Sequence, residues 1–126
     1  MIKCNYFSIG FLLMFISQIC LSFPHDREVW IKDNLEAIVF AMCDKKSYFR
    51  QCFLVDDKKC KIVARISISR CMDEYRTLMP KTLEIPFDDE KYRPLIGACS
   101  GGQYQARLKN FSKNESICSG EGKWER

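Results

Sequence analysis

The sequence has a single histidine, His25, and no two cysteines separated by only two residues. Thioredoxin-like redox sites and most zinc sites need such a cysteine pair, and many hydrolases need a rigidly held histidine base. Since His25 lies close to the start of the predicted mature chain, where we expect a mobile terminus, the sequence argues against histidine-based catalysis. Residues 98–102 are small but lack the lysine of a phosphate-binding loop. We therefore expect no cofactor and no metal, and a binding protein instead of an enzyme.

The chain has only one long apolar run, and it lies at the very start. Lys3 precedes a mostly apolar stretch over residues 9–21, and the small residue Ser22 follows it. This order is typical of a secretory signal peptide, and the stretch is too short for a membrane span of about 20 apolar residues. We predict a signal peptide over residues 1–22, with an uncleaved anchor as the alternative. Residues 23–126 are then a single secreted domain, extracellular or periplasmic, without a transmembrane segment.

Six of the eight cysteines lie outside the predicted signal peptide. In an oxidising compartment, six thiols in a small domain predict three structural disulfides, which supplement a limited hydrophobic core. The cysteines concerned are Cys43, Cys52, Cys60, Cys71, Cys99 and Cys118.

Apolar residues at helical spacing predict a mainly α-helical, disulfide-stapled domain of about four helices. The first three, each opened by a capping side chain, cover residues 26–43, residues 47–54, and a long helix from Asp56 or Asp57 to Pro80. The predicted buried side of the long helix holds Cys60, Ala64, Cys71, Tyr75 and Leu78. A strand is the alternative for residues 66–69, where isoleucine and serine alternate.

The long helix restricts the disulfide pairing. Cys60 and Cys71 are about 16 Å apart along a helix, whereas the Cα atoms of a disulfide lie within about 7 Å. These two cysteines therefore cannot pair with each other. We expect Cys71 to bond to Cys99, and Cys60 to bond to Cys52 or Cys43, with Cys118 taking the remaining partner.

The second half of the chain contains most of the residues that interrupt helices, three of the four prolines and five of the six glycines. Pro80 directly precedes residues 81–87 and Pro86 lies within them, so this stretch predicts a loop. The acidic residues 88–90 suit the start of a fourth helix. Alternatively that helix begins at Pro94. Gly101 and Gly102 predict that it breaks into two pieces.

The long helix also carries the predicted partner surface. A mild excess of basic residues, 19 against 16 once Lys3 is removed, favours an acidic protein or an anionic surface as partner. No aromatic residues interleave with the basic ones, so we expect no nucleic-acid partner. An ordinary solvated helix face is the alternative. The surface consists of Lys58, Ile62, Arg65, Ile66 and Arg76.

The sequence is also compatible with two other functions. Carboxylates at Asp88, Asp89 and Glu90 suggest a small hydrolase of cell-wall or carbohydrate polymers, provided that folding assembles a facing pair. Stapled helices also suit a carrier of an apolar ligand, which needs a cavity lined by Ile, Leu and Phe. In a eukaryotic host, Asn110 and Asn114 would be N-glycosylation acceptors.

The run Phe49-Arg50-Gln51-Cys52-Phe53, followed by Cys60, Cys71, Pro80, Cys99-Ser100-Gly101 and Tyr104, resembles small exported bacterial proteins with disulfide-bonded helices. Some substrates of bacterial type II secretion are similar in chain length and in having disulfide-bonded helices. The resemblance covers about residues 47–108. It implies periplasmic or extracellular residence, and it assigns no functional residue.

Overall fold

The computed structural model describes residues 22–118, so the predicted signal peptide before Ser22 and the segment after Cys118 lie outside the described residues. The described residues form four α-helices and a small two-stranded sheet, which confirms the predicted mainly α-helical class. In chain order the elements are β1 (Phe23–Asp26), α1 (Arg27–Cys43), α2 (Tyr48–Cys52), α3 (Asp57–Arg76), β2 (Thr82–Ile85), α4 (Phe87–Arg107) and a 3-10 turn (Lys109–Phe111).

The first three helices begin where their capping residues predict. The Asp26 carboxylate accepts a hydrogen bond from the N–H of Glu28, Ser47 accepts one from Arg50, and Asp56 accepts one from Lys59. Each cap satisfies a backbone donor that the helix itself cannot pair.

The strand alternative for residues 66–69 is wrong, because they lie in the middle of α3. The predicted burial of Leu78 is also wrong. α3 ends at Arg76, so the chain turns away before Leu78 and leaves that side chain 67% exposed.

α3 is the central helix of the fold. Cys60, Ala64 and Cys71 have no solvent exposure, as predicted, and Ile68 is fully buried beside them. α4 and α1 both pack against α3, and α1 runs antiparallel to it. Three links join α1 to α3 in that antiparallel order: Glu28 to Arg76, Glu36 to Arg65 and Cys43 to Cys60.

All six cysteines outside the predicted signal peptide are in disulfides. The bridges are Cys43–Cys60, Cys52–Cys118 and Cys71–Cys99, with Cα–Cα distances of 5.9, 5.3 and 5.9 Å. The predicted Cys71–Cys99 bridge is confirmed. Of the two partners left open for Cys60 the structure has Cys43, and Cys118 takes Cys52.

The sheet contradicts two of our predictions. The expected mobile terminus forms β1, and the expected loop over residues 81–87 contains β2, which pairs antiparallel to β1. His25 lies opposite Leu83, whose side chain is fully buried. Each strand has only four residues, which is too short for alternation to be recognised, and prolines flank or interrupt both.

The expected break in the fourth helix is wrong as well. α4 runs without interruption through Pro94, Gly101 and Gly102. Its inner side buries Ile96 and Tyr104, and the Cys71–Cys99 bridge fixes its middle to α3. Burial and a covalent link outweigh the local helix-breaking preferences of one proline and two glycines.

Candidate functional site

The predicted partner surface lies on α3, and its apolar members face solvent. Ile62 and Ile66 are each 47% exposed, and Lys58 is exposed too. The spacing of four residues places Lys58, Ile62 and Ile66 along one line of the helix. The structure thus brings these three side chains together as an outer face of α3.

The two arginines of the same surface are bound within the protein. Arg65 forms a two-pronged ion pair with Glu36 of α1, with Nη2–Oε2 and Nε–Oε1 distances of 2.8 and 3.2 Å. This hydrogen bonding lowers the pKa of Glu36 and raises that of Arg65. Arg76 contacts Glu28 at 3.2 Å and Asp73 at 3.5 Å. Among the described residues no carboxylate pairs with Lys58, so Lys58 is the basic group of this surface that is available to a partner.

The acidic start of α4 holds elements together. Asp88 accepts a hydrogen bond from the backbone N–H of Glu84 at 2.7 Å. Asp89 accepts one from the indole of the buried Trp30 at 2.9 Å and one from Arg93 at 2.7 Å. Asp88 and Asp89 therefore have a structural role where β2 and α1 meet the start of α4, and the third carboxylate, Glu90, is exposed.

A groove of about 340 Å³ lies where the C-terminal end of α1 meets the N-terminal end of α3. Five of its seven lining residues carry charged side chains, and Phe40 is the one large apolar residue among them. The lining therefore differs from the Ile, Leu and Phe surroundings expected of an apolar-ligand carrier. The lining residues are Phe40, Cys43, Asp44, Lys45, Lys46, Asp57 and Lys61.

Sequence reasoning missed this groove. Residues 44–47 predict only a polar turn, and Phe40 falls outside the apolar spacing of the first helix. The position of Phe40 could have indicated a surface site, because a phenylalanine that lies off the buried side of a helix is exposed unless another element covers it. Phe40 is 74% exposed.

The charges within the groove are partly matched. Lys61 bonds to Asp57 at 2.8 Å, which lowers the pKa of Asp57, and the positive charges of Arg50 and Lys45 lower it further. The carboxylate of Asp44 accepts the backbone N–H of Lys46 at 2.8 Å. Within residues 22–118, the ammonium groups of Lys45 and Lys46 form no ion pair.

Two buried hydroxyls lie in the core instead of in a surface site. Neither Ser67 Oγ nor the Tyr104 hydroxyl has a hydrogen-bond partner, and neither residue is exposed. Burial raises the pKa of the Tyr104 phenol to about 12, against a smaller lowering by the Arg50 charge. Burial disfavours the phenolate, because a buried anion loses its hydration.

The other residues considered from sequence lie apart from these surfaces. His25 is half-buried on β1, and within residues 22–118 no three His, Cys, Asp or Glu side chains are grouped as metal ligands. Asn110 and Asn114 are exposed on the segment that follows α4. They are sterically open to the glycosylation that a eukaryotic host would carry out.

No helix within residues 22–118 has the length and apolarity needed to cross a membrane. The comparisons with known proteins add nothing to this geometry: no family model, curated protein or solved structure matches the chain. The likeness to exported bacterial proteins therefore stays a prediction.

Proposed function

We propose that this protein is an exported, non-enzymatic binding protein whose partner contacts the outer face of α3, formed by Lys58, Ile62 and Ile66. One observation carries the proposal: two isoleucines one helical turn apart are each 47% exposed. Grouped apolar side chains that face water are a common mark of interaction sites. Lys58 beside them favours a partner with acidic groups, since no carboxylate of the described chain pairs with it.

Export is supported by the cysteines. All six that follow the predicted signal peptide pair in three disulfides, which persist in oxidising compartments and are rare in the cytosol. The signal-like start of the sequence supports the same route.

Export can be tested by thiol alkylation of the protein in its native host. We expect protein recovered from the periplasm or culture fluid to react with maleimide only after reduction, and to start near Phe23 by N-terminal sequencing. Recovery of full-length, freely alkylated protein from the cytosol would contradict export.

The binding surface can be tested by placing a photo-crosslinking amino acid at Ile66. A matched control carries it at Ala106, an exposed position on α4. Irradiation of the native host should give a discrete adduct from position 66 and none from position 106. Identical adducts at both positions, or none at position 66, would exclude this face.

Substitutions then separate binding from stability. Ile62→Ser with Ile66→Ser, and separately Lys58→Glu, should weaken capture of the crosslinked partner while melting temperatures stay close to wild type. Leu95→Ser on α4 is the apolar control, since Leu95 is exposed to a similar degree. Arg65 and Arg76 are unsuitable for charge reversal, because it would also break their ion pairs with α1.

A further inference from the structure

The groove between α1 and α3 points to a second binding surface with its own ligand chemistry. We infer that it binds an acidic peptide segment that presents one apolar side chain. The inference rests on the proposed role as a binding protein, but it uses the groove residues Phe40, Lys45 and Lys46 instead of the outer face of α3.

Phe40 supplies the apolar contact. It is 74% exposed, more than any other large apolar side chain described, and it lines a concave surface. An aromatic ring with one face open to a groove gives a large contact area at low entropic cost, because it has few rotatable bonds. It is therefore suited to receive an apolar side chain of a partner.

The surrounding charge selects an acidic partner. The groove lining holds three basic and two acidic residues, a net charge of +1. Of the acidic groups in the lining, Asp57 is paired with Lys61 and Asp44 bonds to the backbone of Lys46. The ammonium groups of Lys45 and Lys46 form no ion pair within residues 22–118, and together they exceed the remaining charge of Asp44 by one positive charge. They are therefore the groups that would attract an acidic ligand.

The groove is held in shape before any ligand arrives. Cys43, which lines it, is bonded to Cys60 and so joins the end of α1 to the start of α3. The turn between α1 and α2 is closed by the Ser47 N–H, which donates to the Asp44 carbonyl at 2.9 Å. A preformed site loses less conformational entropy on binding, which favours affinity for a short segment.

A peptide fits this geometry better than a membrane surface does. Peripheral membrane binding needs a broad apolar face that enters the interface in one plane. Here a single aromatic ring lies in a depression between charged side chains. A depression of this kind suits one protruding side chain with carboxylates on either side of it.

The test is an NMR titration of the disulfide-bonded, 15N-labelled protein with synthetic peptides. The probe has a central leucine flanked by glutamates, and its controls have a serine for the leucine or glutamines for the glutamates. We expect shifts at Phe40, Lys45 and Lys46 with the probe, about tenfold weaker affinity for each control peptide, and weakening with added salt. Vesicles of phosphatidylcholine and phosphatidylserine in equal parts are titrated alongside.

Variants locate the binding. Phe40→Ser and the double variant Lys45→Glu/Lys46→Glu should each reduce probe affinity about tenfold. Loss of one aromatic contact, or reversal of two exposed charges, typically weakens binding by about that factor. Leu95→Ser and Lys32→Glu/Lys109→Glu are the matched exposed controls and should bind as wild type. Melting temperatures identify any variant that fails to fold.

Three outcomes would overturn the inference. The probe peptide does not bind, the control peptides bind as tightly as the probe, or the vesicles change the NMR signals of the groove residues and the probe does not. The α3 face is tested apart from it, because Ile62→Ser/Ile66→Ser should leave probe affinity unchanged. A crosslink at position 66 without probe binding would support the outer face of α3 as a binding surface and exclude peptide binding in the groove. Probe binding without a crosslink would support the groove and exclude the outer face of α3.

Discussion

At the scale of single residues, the core contains hydroxyl groups that it does not satisfy. The Tyr104 ring packs edge-on against Phe49 and Phe53 at centroid distances of 5.0 and 5.4 Å, while its hydroxyl has no partner. A buried polar group without a hydrogen bond costs about 1–3 kcal/mol. The ring is therefore stabilising and its hydroxyl is not.

Tyr104→Phe should raise the free energy of unfolding by about 1 kcal/mol, because it keeps the ring and removes the unpaired hydroxyl. Urea unfolding at neutral pH measures it. Tyr75→Phe, at a half-buried tyrosine of α3, is the control and should change stability less. A destabilised Tyr104→Phe protein would mean that the hydroxyl has a partner in solution.

The same substitution tests the raised pKa of Tyr104. An unfolded tyrosine loses its proton near pH 10, whereas the folded one keeps it to about pH 12. Between these values the unfolded state binds fewer protons, so wild-type stability falls as pH rises, by up to about 2 kcal/mol from this group. The difference in unfolding free energy between Tyr104→Phe and wild type should therefore widen above pH 10. A constant difference would contradict the shift.

Asp89→Ala should lower stability by about 1–3 kcal/mol, because it leaves the buried Trp30 indole N–H without its acceptor. Asp73→Ala, at an exposed carboxylate on α3, is the control and should cost much less. Thermal unfolding of both proteins checks this. Equal effects would show that the Trp30–Asp89 bond contributes little.

At the scale of elements, α4 shows tertiary contacts outweighing local preference. Its first turn carries three carboxylates that favour the helix N-terminus, and it then continues past a proline and a pair of glycines.

Arg27, the first residue of α1, links that helix to the end of α3. Its guanidinium donates to the carbonyl of Arg76, the last residue of α3, and to that of Met79 in the turn that follows, at 3.2 Å each. The carbonyls at a helix end have no intrahelical partner, and Arg27 supplies one to Arg76.

Gly102→Ala should stabilise the protein by about 0.5–1 kcal/mol, because Gly102 is exposed within α4 and an added Cβ meets no atom within 4 Å. Gly97→Ala has the same open surroundings and should act in the same direction. Chemical denaturation measures both. A destabilising Gly102→Ala would indicate that α4 breaks at the glycines after all.

At the scale of the whole molecule, the disulfides connect all four helices. One bridge joins α1 to α3, another joins α3 to α4, and Cys52–Cys118 ties the segment after α4 to α2. That segment is also held by the Lys113 N–H, which donates to the Cys52 carbonyl at 2.9 Å, and by Lys59, whose ammonium lies 3.5 Å from the Phe111 ring centroid. Both ends of the described chain are therefore attached to the fold, the first through the pairing of β1 with β2 and the second through the Cys52–Cys118 bridge.

Replacing Cys52 and Cys118 by serine should cost about 4 kcal/mol, and replacing Cys43 and Cys60 about 3 kcal/mol, since the first bridge closes 66 residues and the second 17. Urea unfolding of the two double variants gives the order. A larger loss for the shorter loop would show that native contacts, and not chain entropy, determine the effect.

The sequence alone determined the helical class, the caps that open the first three helices, and the use of six cysteines as bridges. Capping and helical periodicity act within a few residues, so these features can be recognised locally. For the same reason α3 excluded a Cys60–Cys71 bridge before any tertiary contact was known.

Tertiary structure decided the remainder. The pairing of β1 with β2, about sixty residues away, depends on a contact that neither four-residue strand encodes by its own pattern. The continuity of α4 depends on burial against α3, and Cys43 became the partner of Cys60 because α1 packs antiparallel to α3. The same packing pairs Arg65 and Arg76 with carboxylates of α1, and it forms the groove around Phe40. Sequence identifies charged and apolar side chains, but only the fold determines which of them remain available to a partner.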